Sequence, residues 1–225
     1  MNKNVLTSAS AKTACFSYAR MIAVSNRHYF DGEPDPEAAF LNGIRHILLK
    51  APRALILREK DLSPEAYALL AQKVLSLSTG IPIILHSFPQ VAQQLGVKRI
   101  HLPLPLLQQM ADTSDPLLSF FSLIGTSVHS VSDAETAVSC GAAYCLAGNI
   151  FETQCKIGLP GRGLGFLREV SGRVRIPVYG IGGVNEENLP QLLNAGAAGG
   201  CMMSGFCRDL ISSTQPDLPS QSTPL

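Results

Sequence analysis

The chain has no tryptophan, and only 6% of its 225 residues are aromatic and 16% charged. With so little charge and a net of +1 there is no basic field for a nucleic-acid backbone, and no Lys/Arg run is interleaved with aromatics. Nucleic acid is therefore not an expected partner. Apolar runs all fall well short of the ~18 residues a membrane span requires, so no membrane contact is expected either. The six cysteines, Cys15, Cys140, Cys145, Cys155, Cys201 and Cys207, form no CxxC pair. Several lie in apolar runs where a free thiol packs as a small hydrophobe, which points to a reducing cytoplasm. Residues 1–18 mix Lys, Asn, Ser and Thr without an apolar centre, unlike a signal peptide or an anchor.

What is abundant is apolar sequence, 46% of the chain, arranged as short strand-like runs alternating with helical patterns. Strands are expected at 21–24, 54–57, 82–85, 99–102, 123–128, 144–147, 177–181 and 199–203. Asp35-Pro36 and Ser63-Pro64 read as helix starts with a capping side chain followed by proline, and Ser130 with Asp133 has capping-box spacing. Strands apolar on both faces, alternating with helices about eight times in one domain, predict an α/β fold, a single (β/α)8 TIM barrel. An open doubly wound sheet is the alternative, but the glycine-rich turn such folds carry after the first strand is absent. The last helix, over 206–212, is short and leads into a Pro/Ser-rich tail. The expected organisation is an extension over 1–19, a barrel over 20–212 and a tail over 213–225. A truncated last helix leaves the last strand thinly covered. The first residues or a partner subunit would fill that groove, so a homodimer is expected.

The chemistry is expected where Pro177-Val178-Tyr179-Gly180-Ile181-Gly182-Gly183 leaves the core and where Met202-Met203 runs into Ser204-Gly205. Glycine tolerates positive φ and lets a ligand approach the backbone, so Gly182, Gly183, Ser204 and Gly205 form a candidate phosphate cradle. Asn185 is expected to cap the helix that follows, and a Cβ at Gly183 to obstruct the ligand. The plain alternative is two ordinary strand-to-helix turns. Arg58 and Lys60 follow the second strand, which would bring their charges to the barrel mouth to grip a carboxylate or phosphate; the competing reading is a salt bridge to Glu59. Ser127 and Thr153 are candidate small polar contacts, and Lys156 a cation on the loop over the mouth. For His86, His101 and His129 a hydrogen-bonded histidine at a strand end is the simpler reading.

Together Leu57-Arg58-Glu59-Lys60-Asp61, Gly125-Thr126-Ser127-Val128-His129-Ser130, Phe151-Glu152-Thr153-Gln154-Cys155-Lys156, Gly161-Arg162-Gly163 and the glycine cradle resemble the thiamin phosphate synthase/TenI superfamily of (β/α)8 barrels. The resemblance spans roughly residues 20–210. It implies a phosphorylated thiazole as ligand and two possible activities. The synthase joins a pyrimidine diphosphate to thiazole phosphate with Mg²⁺ held by carboxylates. Here the family's Asn-Asp pair after the third strand falls at His86-Ser87, and its Asp after the fourth falls near Leu106; Asp61 and Asp112 do not fall at matching positions.

The sixth-loop motif is closer to the TenI branch, whose thiazole tautomerases aromatise a thiazole carboxylate phosphate by moving a proton, an isomerase reaction needing no metal or other cofactor. That branch implies a catalytic histidine where this chain has Asn149, which can hydrogen-bond but has no pKa suited to acid/base work. The catalytic candidates are then Asn149 as the altered position, His86 at a former metal-ligand position, and Lys156. The expected function is a TenI-like tautomerase impaired by Asn149; the alternatives are the synthase itself and a non-catalytic ligand-binding or regulatory protein.

Overall fold

The structure, a computed structural model, describes residues 16–78, 80–153, 158 and 160–206. Eight parallel strands close into a barrel in sequence order: β1 (Met21–Val24), β2 (Ala54–Leu57), β3 (Ile83–His86), β4 (Arg99–Leu102), β5 (Leu123–Val128), β6 (Tyr144–Gly148), β7 (Val178–Ile181) and β8 (Gly199–Met202). Closure leaves no sheet edge, because β8 pairs with β1 through Cys201 opposite Ile22. Among the described residues seven α-helices run back between the strands: α1 (Pro36–Leu49), α2 (Pro64–Ser76), α3 (Pro89–Gln94), α4 (Leu104–Asp112), α5 (Val131–Ser139), α6 (Gly163–Arg173) and α7 (Leu189–Asn194).

Local chemistry sets these boundaries. Asp35, Ser63 and Ser130 each accept a backbone N–H in the first turn of the helix that follows, with proline at the first position of α1 and α2. The cap of α5 is doubled, since Asp133 in turn accepts the His129 N–H at 2.7 Å. Asn185 behaves differently from the sequence expectation. Asn185 and Asn188 each accept the other's backbone N–H at 2.9 Å, forming a separate turn, and the helix begins only at Leu189.

Strand alternation sorts the core into two layers. Met21, Ala23, Leu55, Leu57, Ile100 and Leu102 face the helices, whereas Ile22, Val24, Ala54, Ile56, Ile84, Tyr144, Leu146, Tyr179 and Cys201 fill the barrel interior. His86, His101 and Ser127 share the inward parity of this second set, which places polar atoms on the floor of the mouth. Tyr144 reaches across the interior only because Gly125 lies beneath it: a Cβ at 125 would stand 2.0 Å from the ring. Tyr67 of α2 ties two strands from outside, donating to the Leu57 carbonyl at 2.6 Å and accepting the His86 N–H at 2.9 Å.

Tyr18 packs between Phe16 and Phe206 and hydrogen-bonds Glu186, so the chain just before β1 lies against the end of β8. A 3-10 turn, Ser204–Phe206, follows β8. The rest of the short last helix lies outside the described residues, as do most of the 1–19 extension and the whole tail. No helix among the described residues is long and apolar enough to cross a membrane.

Candidate active site

The C-terminal ends of the strands open into one cavity of about 1610 Å³. The sequence candidates Arg58, Lys60, His86, Ser127, Asn149, Thr153, Gly182, Gly183, Ser204 and Gly205 all line it. Lys156 lies outside the described residues.

Arg58 and Lys60 leave β2 on a turn pinned from behind. The buried Glu59 carboxylate does not pair with Arg58. It accepts the Ser25 hydroxyl at 2.5 Å and the Arg27 N–H at 3.1 Å, while the Ser25 oxygen accepts the Arg58 N–H at 2.9 Å. Burial pushes the Glu59 pKa up, against the pull of those hydrogen bonds. Asp61 pairs with Arg27 and stays out of the cavity lining.

The floor is histidine-rich. His86 and His101, opposite each other on β3 and β4, stack with centroids 5.5 Å apart. Burial, reinforced by the Arg58 and Lys60 charges, lowers His86 to about 4. Burial, together with His86 and Arg58, takes His101 to about 3. Both rings are therefore neutral near pH 7. His86 Nδ1 lies 2.6 Å from the Ser87 hydroxyl; His101 lies 3.1 Å from the Tyr144 hydroxyl through Nδ1 and 3.0 Å from Ser127 Oγ through Nε2.

On the β6–β8 side, residues 149–152 are zipped to the cradle. Ile150 N–H donates to the Ile181 carbonyl at 2.8 Å and Phe151 N–H to that of Gly182 at 3.0 Å. Gly182 and Gly183 have φ of +95° and +65°, which favours glycine at both. Crowding adds to this from the loop side and corrects the expectation for Gly183: its Cβ would meet the Glu152 carbonyl at 2.5 Å, and one at Gly182 would meet Asn149 Cβ at 2.4 Å. These glycines let the sixth loop close against the seventh strand. Asn149 is buried, with its amide donating to the Phe151 carbonyl at 3.3 Å. His129 stands beside it, Nδ1 at 2.7 Å from the Gly148 carbonyl. A carbonyl only accepts, so His129 Nδ1 carries a proton, and in the neutral ring the lone pair lies on Nε2.

The donor set does not fit a hard dication. Mg²⁺ takes carboxylate and other oxygen ligands in octahedral geometry. Glu152 is the single carboxylate among the described lining residues, and at the ends of β3 and β4 stand His86, Ser87 and Pro103, beside the Arg58 and Lys60 charges. Among the described residues, no group of three His, Cys, Asp or Glu side chains could hold a metal ion.

Three features of this site were not singled out from sequence: the Ser25–Glu59 clamp, the Tyr144–His101–Ser127 chain, and the Asn185–Asn188 turn whose Asn188 amide also donates to the Gly183 carbonyl at 2.9 Å. Inward parity on β4 and β5 is the signal that could have found the second.

Comparisons with known proteins agree on the family. The model of the thiamine monophosphate synthase family (TMP-TENI) matches residues 23–206. A thiamine-phosphate synthase of Lacticaseibacillus paracasei is 31% identical over 184 residues, 79% of this chain and 82% of that one. Another, from Clostridium acetobutylicum, is 31% identical over 67% of this chain and 71% of its own length. Among solved structures, the thiamine phosphate pyrophosphorylase of Pyrococcus furiosus superposes with a TM-score of 0.67 at 21% identity, covering 88% of this chain and 97% of that one; at that identity the likeness speaks for the fold. These names match the family and its synthase, not the tautomerase branch that the sixth-loop motif resembles. With its closed barrel and its family match in agreement, the chain belongs to the thiamine monophosphate synthase family.

Proposed function

We propose that the mouth binds a phosphorylated thiazole, with phosphate at the turns after β7 and β8, and that the chemistry it supports is proton transfer of the tautomerase kind. One observation carries this reading: neutral imidazoles and cations stand where a diphosphate-transferring site would need carboxylates for a metal. Leaving diphosphate charge without its metal would forfeit several kcal/mol of transition-state stabilisation. Moving a proton within a carboxylated thiazole develops less charge, and Arg58 and Lys60 are placed to hold its carboxylate.

The second reading is the synthase, and the relatives' names favour it. One pair of assays separates the two. Pyrimidine diphosphate with thiazole phosphate, with and without Mg²⁺, is expected to give no metal-dependent thiamin phosphate, whereas thiazole carboxylate phosphate is expected to aromatise slowly. Metal-dependent turnover near the ~10 s⁻¹ of a typical enzyme would reverse the order of the two readings. Binding of the thiazole phosphate without either turnover would leave a ligand-binding protein.

A further inference from the structure

The hydrogen bonds beneath the cavity run in one direction. Tyr144 is buried, and among the described residues its hydroxyl has one hydrogen-bond partner, His101 Nδ1. Burial holds the phenol well above its ordinary pKa, so it keeps its proton and has to place it somewhere. A buried O–H with no acceptor costs about 1–3 kcal/mol. Tyr144 therefore donates to His101 Nδ1. The neutral ring can then carry its single proton only on Nε2, which donates to Ser127 Oγ at 3.0 Å. With that oxygen occupied as an acceptor, the Ser127 proton is free to turn toward the cavity that Ser127 lines.

We infer that Tyr144 and His101 are positioning residues that make Ser127 a hydrogen-bond donor, so this wall of the mouth selects an anionic acceptor group on the ligand. Arg58, whose charge acts on both histidine rings, supplies the matching cation. For the ligand proposed above, the acceptor is the thiazole carboxylate, opposite the phosphate end. The identity of that group rests on the proposed function; the direction of the chain does not.

The test has two arms for that reason. In the first, ¹⁵N NMR of ring-labelled histidine at pH 7 reads the His101 tautomer without any ligand. The expected result is a protonated Nε2 and a bare Nδ1, with Tyr144→Phe losing that preference while the protein stays folded. A wild-type ring protonated at Nδ1, or a tautomer unmoved in Tyr144→Phe, would overturn the inference. In the second arm, Kd is measured for thiazole phosphate with and without its carboxylate. Ser127→Ala and Tyr144→Phe are each expected to weaken the carboxylated compound about tenfold and to leave the other unchanged. Equal weakening of both compounds would overturn the assignment of the carboxylate to this wall. If wild type binds neither compound, the proposed function fails, and the NMR arm still decides the relay.

Discussion

Ser25 and Glu59, joined by a 2.5 Å hydrogen bond and both sealed from solvent, lock the end of β1 to the turn that presents Arg58 and Lys60. The pair couples the stability of the barrel rim to the geometry of its cations. Ser25→Ala removes a donor from a buried carboxylate and the acceptor of the Arg58 N–H, so we expect a loss of about 1–3 kcal/mol in denaturant unfolding. The pH dependence has a definite sign. Because the Glu59 pKa is raised in the fold, the native state holds more protons than the unfolded one above the ordinary 4.5. Its contribution to stability is full below that value and is lost as pH rises through the folded pKa. Glu59→Gln should flatten that part of the stability profile; an unchanged slope would show that another group produces it.

Gly183→Ala is expected to lower Tm and to open the sixth loop. The residue would have to hold φ at +65°, at a cost of roughly 1–2 kcal/mol, while its methyl group pressed on the Glu152 carbonyl. Limited proteolysis around residues 150–158 reads the loop directly. A variant that keeps wild-type Tm and protection but loses phosphate binding would restore ligand approach as the reason for glycine.

Asn149→His should raise tautomerisation of thiazole carboxylate phosphate by about 10²–10⁴-fold, the usual worth of a positioned acid/base group. In wild type, His86 is poorly matched to that role, since a ring titrating at about 4 is a weak base at neutral pH. His129, fixed through Nδ1 on the carbonyl of Gly148, the residue before Asn149, is the other imidazole at this side of the mouth. Residual activity is therefore expected to vanish in His129→Gln and to survive in His86→Gln. The reverse pattern would return the proton to His86.

Most of the fold is legible in the sequence because its signals are local. The Asp35-Pro36 and Ser63-Pro64 starts and the short apolar runs each act within a few residues. The site is legible in the same way where a side chain simply follows a strand, as Arg58 and Lys60 do. It is not legible where a role depends on what lies across the barrel. Glu59 looks like a solvated partner for its neighbours because nothing local announces that Ser25, just past the end of β1, will hold it in a buried site. Asn185 reads as a helix cap because its side-chain oxygen suits first-turn N–H groups; that oxygen instead takes the Asn188 N–H in an equally local exchange that precedes the helix. For His86 and His101, strand position is readable, whereas the depth that keeps them neutral is a property of the closed sheet.

Gly125 touches none of this chemistry and yet governs it. Its missing methyl is the space that the Tyr144 ring occupies, and alanine there would push the phenol away from His101. His101 would then be free to reverse its tautomer, turning Ser127 from a giver of protons into a taker. The charge preference of the mouth is thus written at a position without a side chain, below the reach of any ligand, and a one-carbon change could re-address the pocket to a different class of compound while every residue on its surface stayed the same.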